Sequence, residues 1–481
     1  MKVAKKNIIL TAMCGLLGLS VAKAQENRPE ILRADLETAI RIALSENPSV
    51  KVADMEIRKR EHARKGAYGA LFPQIDVIGQ YQRTLKRQTM YMDAEMTGSP
   101  VDLSKFTPEE LKVMEVLGKI MPSADAGKGI RMGRRNLWNG TVNVNLPLVV
   151  PSLWKNIRMS RVDLEMAMEQ SRSSKIDLTH QVKKAFYSVL LAKDSYDLFR
   201  ETYTTDSLNL VNIRNKFTQG VAAEYDVITA DVRLKSIIPN ILQSESMVKI
   251  AELQLKMLMG IDSDTPVEIA GSLSDYEAGM FETIVPGDDA LWANSDLKQF
   301  DLQTLQAENA HKISKLRNLP SLTSSFSYSL ISQNNHFRIG HYRWDPYSVA
   351  GVTLSVPIFS GGQRYHDIKQ SGIRLLQLQE QRRDLMRNLQ LSVRNSTELI
   401  NKSIEQVVAA ASSVQQAKKG YEITQKRYET GAGTIVDLNT AALSVTGSEL
   451  QYRNAIYDYL AAKADLEKTL GYDVDTVNRV Q

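Results

Sequence analysis

Side chains able to do covalent or metal chemistry are few and scattered in this chain. The six histidines are His62, His180, His311, His336, His341 and His366. None falls in an H-E-x-x-H pattern, and none pairs with cysteines. His336 and His341 stand five apart among aromatic residues, in a stretch that reads as a wet surface loop rather than a metal site. Gly127-Lys128-Gly129 lacks the glycine spacing and the Lys-Ser/Thr ending of a phosphate loop. No G-x-S-x-G nucleophile motif occurs. Cys14 is the only cysteine, so a chain processed after it carries no disulfide and no thiol chemistry. The expectation is a protein that is not an enzyme and uses no cofactor and no metal.

The residues that stand out instead are acids placed just after glycine turns. Thr434-x-x-Asp437 follows Gly431-Ala432-Gly433 and has the pattern of a capping box, with a carboxylate at the third helical position. Asp226 holds the equivalent place after Gly220, but Ala223 replaces the threonine and the box is incomplete. Gly220 and Gly431 sit where a helix end favours glycine.

These turns belong to a repeat. A shift of 211 residues lays Gly220 on Gly431, Asp226 on Asp437 and Gly260 on Gly471, and brings Pro147 to within one residue of Pro357. It also lays one heptad ladder on another: Val182, Val189, Tyr196, Tyr203, Leu210 and Phe217 over Val393, Ile400, Val407, Val414, Tyr421 and Tyr428. A period this long marks a duplicated architecture, and seams at sevens suit coiled-coil packing. The reading is a first repeat over 25–271 and a second over 272–481. The first has a β-hairpin at about 75–147 with a long surface loop at 83–135, then helices 153–217 and 222–259. The second has a hairpin at about 322–357, then helices 363–430 and 434–470. A broken helix over 35–71 and a helix over 289–319 precede the two hairpins. Pro147 and Pro151 are expected to close a strand, a short helix is expected at 108–119, and 261–287 is expected to be an irregular linker.

Lys2, Lys5 and Lys6, an apolar run from Ile8 to Val21, and Ala22-Lys23-Ala24 together read as a signal peptide of residues 1–24. Met13 before Cys14 fits lipidation poorly. No later stretch is apolar for long enough to be a membrane helix. The net charge of +5 is modest for 481 residues, without the basic run and interleaved aromatics of a nucleic-acid site. Four strands per chain cannot close a barrel; two chains give eight and three give twelve, and only the larger leaves an aqueous lumen. Tyr81, Trp138, Tyr328, Trp344, Tyr347 and Phe359 near the strand ends suit interfacial girdles.

Val356-Pro357-Ile358-Phe359-Ser360-Gly361-Gly362-Gln363-Arg364 resembles the strand-to-helix junction of the TolC-like outer-membrane efflux proteins. Ala43-Leu44-Ser45-Glu46-Asn47-Pro48 resembles that family's N-terminal segment, and Tyr428 to Asp437 its periplasmic tip. The resemblance covers nearly the whole mature chain. It implies a mainly α fold with a small β part: a homotrimeric twelve-stranded barrel in outer-membrane lipid, continued by a long α-helical coiled-coil barrel in the periplasm. It implies a passive exit duct for a tripartite efflux or type I-like secretion system, with a periplasmic adaptor and an inner-membrane pump as partners, and no nucleic acid. It makes Asp437, Asp226 and Thr440 candidates for the periplasmic constriction, although the family often has a second acid where Thr440 stands. It makes Tyr428 a candidate latch, and Gly220, Gly431 and Gly433 candidate adaptor contacts. The family's arginine latch would fall at Gly433, so the closed state is expected to be held differently. Pro147, Pro357, Gly361 and Gly362 mark the strand–helix junctions. An outer-membrane-anchored structural or adhesive stalk is the alternative reading. A periplasmic adaptor is a weaker third.

Overall fold

The computed structural model describes residues 32–90, 106–120, 130–280 and 290–472. The signal peptide, Cys14 and Gly127-Lys128-Gly129 lie outside the described residues, as do parts of the first-hairpin loop and of the linker between the repeats.

In chain order the elements begin with β1 (Leu32–Ala34), α1 (Leu36–Glu46), α2 (Pro48–Gly69) and β2 (Gln74–Arg83). Then come β3 (Thr89–Met90), α3 (Pro108–Ile120), β4 (Ile130–Arg131), β5 (Asn136–Val149), α4 (Pro151–Thr218), α5 (Glu224–Met259) and β6 (Val267–Ile269). The remainder is α6 (Ser295–Leu316), β7 (Ser321–Asn334), β8 (Asp345–Ser355), α7 (Gln363–Glu429) and α8 (Ile435–Leu470). The 68 residues of α4 make a helix about 100 Å long at ~1.5 Å per residue. Two compact units are formed, and each takes pieces of both repeats.

The first unit comprises 1–51, 174–292 and 390–481. The heptad seam supplies its core: Val182 and Val189 of α4 are fully buried, as are Phe186 and Leu190 beside them, with Ile400 and Val407 of α7 in the same cluster. Tyr459, Leu466 and Leu470 of α8 and Leu255 and Met259 of α5 complete it. Each such side chain contributes about 1.5–3 kcal/mol by leaving water, which offsets the cost of ordering helices that would not persist alone.

Asn47 explains the break between α1 and α2. Helical conformation is disfavoured before proline, while Pro48 is suited to opening the next helix. Asn47 takes extended backbone, and its buried side chain accepts from Ser49 N and donates to the Leu258 carbonyl, both at 2.8 Å. Gly260 ends α5 at φ 70°, and a Cβ there would lie 2.9 Å from the Asn47 backbone. Only glycine satisfies both the left-handed turn and this close approach.

The linker expected to be irregular is partly ordered. β6 pairs in parallel with β1, and Leu273–Gly279 forms a 3-10 helix opened by a Ser272/Asp275 capping box. It is anchored by the Leu273 amide donating to the Asp194 carboxylate at 3.1 Å and by Lys193 donating to the Ile269 carbonyl at 2.7 Å. Leu273 and Met280 are buried. Tertiary packing, added to the local capping box, orders this segment.

The second unit comprises 52–173 and 293–389. Its sheet has the order β2-β5-β7-β8, with every pairing antiparallel. The strands run 10, 14, 14 and 11 residues, longer than the sequence suggests. Pro147 does not close β5. It pairs with Thr323, the register shifts by one residue, and Val149 then pairs with Leu322. Proline is tolerated at such a bulge.

The register sorts side chains by face, because directly opposed residues share one. One face carries Ile75, Val77 and Tyr81 of β2, Trp138, Val142 and Val144 of β5, Phe326, Tyr328 and Leu330 of β7, and Ala350, Val352 and Leu354 of β8. The other carries Gln74, Asp76, Ile78 and Gln80, then Asn139, Thr141, Asn143 and Asn145, then Ser325, Ser327 and Ser329, then Tyr347, Val349, Thr353 and Ser355, so it is mostly but not wholly polar. Val77 is 77% exposed and Val352 64%, so the apolar face is bare in the single chain.

Candidate functional site

The two turns are built alike. At the end of α4, the Gly220 amide donates to the Phe217 carbonyl and the Val221 amide to the Lys216 carbonyl, both at 2.9 Å. At the end of α7, Gly431 donates to Tyr428 at 3.2 Å and Ala432 to Arg427 at 2.8 Å. Gly220 and Gly431 take φ of 76° and 75°. This is the Schellman arrangement, which satisfies the last carbonyls of a helix.

Beyond the second turn the capping box forms. The Thr434 amide donates to the Asp437 carboxylate at 3.1 Å, and the Asp437 amide donates to Thr434 Oγ1 at 3.2 Å. The Thr434 amide and then its hydroxyl, with a smaller pull from Arg427, hold the Asp437 carboxyl below the usual carboxylate range. The side chain is exposed, so it caps the helix while its charge faces outward. Thr440 is different: its hydroxyl donates to the Val436 carbonyl at 2.8 Å, one turn back along its own helix. In the first copy Ala223 makes no side-chain cap, and Asp226 is half-buried.

Tyr428 lies between the two turns. Its ring packs on the cluster of Leu210, Ile213, Ala230, Ile435 and Leu438, and the Lys216 ammonium stands 5.1 Å from the ring centre. Burial, then the nearby Asp226 charge, pushes the phenol up. The Tyr428 hydroxyl is buried and has no hydrogen-bond partner among the described residues. The structure thus brings Tyr428, Asp226 and Lys216 together, while Asp437 and Thr440 bond within their own helix start. Gly433 is crowded: a Cβ there would meet Arg427 Cβ at 3.2 Å and the Tyr428 amide nitrogen at 3.3 Å.

At the second strand–helix junction, Gly361 and Gly362 take φ of 60° and 82°. Arg364 reaches back, donating from Nε to Ser360 Oγ at 2.9 Å and from Nη1 to the Pro357 carbonyl at 3.2 Å. That fold-back re-aims the chain from β8 into α7.

Sequence reasoning missed a buried ion pair above the turns. Asp206 of α4 and Arg233 of α5 meet at 3.0 Å and are 5% and 8% exposed. Arg233 Nη1 also donates to the Asn439 carbonyl of α8 at 3.0 Å, so one guanidinium ties three helices. Burial outweighs the pull of Arg233 and pushes the Asp206 carboxyl up. A signal was present: the 211-residue shift lays both charges on Ala417 and Ser444, so they are present together in one repeat and absent together in the other. Among the described residues, no group of three His, Cys, Asp or Glu could hold a metal ion.

Comparison with known proteins gives a consistent picture. The family described as outer membrane efflux protein matches residues 39–261 and 287–472. The outer membrane protein TolC of Vibrio cholerae is 22% identical over 344 residues, 70% of this chain and 77% of that protein. The alkaline protease secretion protein AprF of Pseudomonas aeruginosa is 22% identical over 336 residues, 68% of each chain. Among solved structures, the CusC channel aligns at a TM-score of 0.70 with 14% identity, covering 91% of this chain and 92% of that one. The open-state MtrE channel of Neisseria gonorrhoeae aligns at 0.68 with 16% identity, covering 91% and 88%.

Proposed function

Because this chain belongs to the outer membrane efflux protein family, we propose that it is the outer-membrane exit duct of a tripartite efflux or secretion system. The observation that carries the reading is the two-faced sheet. An apolar face with aromatic Tyr81 and Trp138 near one end suits lipid, and a face made mostly of Asn, Ser, Thr and Gln suits a water-filled lumen. In lipid the outer edges of β2 and β8 cannot stay unpaired, so copies must join edge to edge. Three copies give twelve strands, enough for an aqueous lumen. Strands of 14 residues reach about 48 Å at ~3.4 Å per residue, ample for a tilted crossing.

The four long helices of each copy would continue the duct into the periplasm. The Gly220 and Gly431 turns would form its tip, where an adaptor docks and an inner-membrane pump supplies energy. Asp437 would place one exposed carboxylate per copy near the entrance, and a ring of like charge there would favour cations. Tyr428, beside Asp226 and Lys216, would be a packing latch that loosens on opening. Chemistry within this chain is passive transport, not catalysis.

The experiment is native mass spectrometry of the detergent-extracted protein from outer-membrane fractions. A mass of three chains supports the reading. A single chain, with the protein recovered outside that membrane, overturns it.

A further inference from the structure

The helical unit holds a cavity of about 170 Å³ that none of the channel chemistry uses. All four long helices line it: Asp206 of α4, Arg233 of α5, Lys418 of α7, and Glu449 and Arg453 of α8. Two carboxylates with little exposure face three cations there. Asp206 pairs with Arg233 at 3.0 Å. Glu449 is bridged by Lys418 at 2.7 Å and stands 3.6 Å from Arg453.

The guanidinium donors are not used up. Arg233 spends Nη1 on the Asn439 carbonyl, but its Nη2 has no hydrogen-bond partner, and neither has Arg453 Nη1. Arg233 is 92% buried by the 8% exposure of its side chain, so bulk water does not reach its free edge. A guanidinium is always charged and carries five N–H donors, and buried donors in native proteins are almost always paired. Hydrogen-bond donors of two arginines, on two helices, therefore line one polar cavity, where the guanidinium charges are matched by Asp206 and Glu449 and the Lys418 ammonium, 57% exposed, is screened. Glu201, which also lines the cavity, is exposed to solvent and screened.

We propose that this cavity binds one small inorganic anion, a halide or a compact oxyanion, held between Arg233 and Arg453. The anion accepts from the unpartnered N–H groups and ties α5 to α8 within a single chain. Because it would bind only the folded bundle, it stabilises that bundle in proportion to the logarithm of its concentration above Kd.

The test is thermal unfolding of the purified full protein in sodium bromide, at ionic strength held constant with sodium HEPES, whose sulfonate sits on a molecule too bulky to enter. The expected result is a saturable rise in midpoint with bromide, about a hundredfold stabilisation of folded over unfolded at 100 times Kd. The rise is lost in R233Q and weakened at least tenfold in concentration in R453Q. R453Q leaves the Lys418–Glu449 pair in place, so it folds even where R233Q does not. Anomalous scattering from a bromide-grown crystal then shows a peak between the two guanidinium groups. A midpoint response equal in wild type and R453Q, or a cavity holding only water in that crystal, overturns the proposal.

Discussion

Replacing Arg233 with Met should be among the costliest single changes in the helical unit. The substitution strands the Asp206 carboxylate, 5% exposed, opposite an apolar side chain. Removing one partner of a buried pair costs about 3–5 kcal/mol, most of it the uncompensated charge. The Asn439 carbonyl also loses its donor from α5. Unfolding entropy near 2.1 cal/mol/K per residue, over 481 residues, gives about 1 kcal/mol per degree. The thermal midpoint of the helical signal at 222 nm should therefore drop by about 3–5 °C. Asp206→Leu alone should cost a similar amount, because it strands Arg233. The double variant should recover most of the loss, since no buried charge remains. A loss below about 1 °C in the Arg233→Met protein, or a double variant no milder than the singles, would refute the reasoning.

Gly260→Ala should destabilise more than Gly431→Ala. Both take positive φ, at a cost of about 1–2 kcal/mol for a side chain, but only at Gly260 would the new Cβ also strike backbone, at 2.9 Å from Asn47. Comparing the two thermal midpoints checks the ranking. His180 lies near Asp465, yet burial pulls its imidazole below the ordinary 6.5. The unfolded chain thus takes up the proton first, and stability should fall as pH drops from 6.5 toward the folded value; a His180→Gln protein should show a flatter midpoint between pH 7 and pH 5. Gly433→Arg should lower closed-state conductance by adding a contact at the turn. Unchanged conductance in a folded Gly433→Arg protein would show that this position has no part in closure.

Much of this fold was legible because its long elements repeat. The heptad ladder ran through the C-terminal halves of α4 and α7, the prolines before them marked where helices could begin, and Gly220 and Gly431 marked their turns. A helix cap was one of two readings of Asp437, and the box forms because it is a local pattern of four residues; a place at a constriction is not a local pattern. What escaped depended on contacts distant in the chain. Nothing local in Val267–Ile269 announces a strand, because its partner is Leu32–Ala34. Pro147 read as a strand end because the bulge that accommodates it is set by β7. Asp206 and Arg233 looked like solvated charges on two long helices, and only their joint absence from the second repeat hinted otherwise.

The most direct test of the channel reading is single-channel conductance of the purified protein in planar bilayers, native beside Asp437→Ala. The account expects a small native conductance with cation preference, which grows or loses that preference when the carboxylate is removed. Because the capping bonds hold the Asp437 carboxyl below the ordinary 3.8, the native cation preference should also survive acidification to that value. Absence of any conductance from a folded trimer, native or variant, would contradict the account and leave a membrane-anchored stalk in its place.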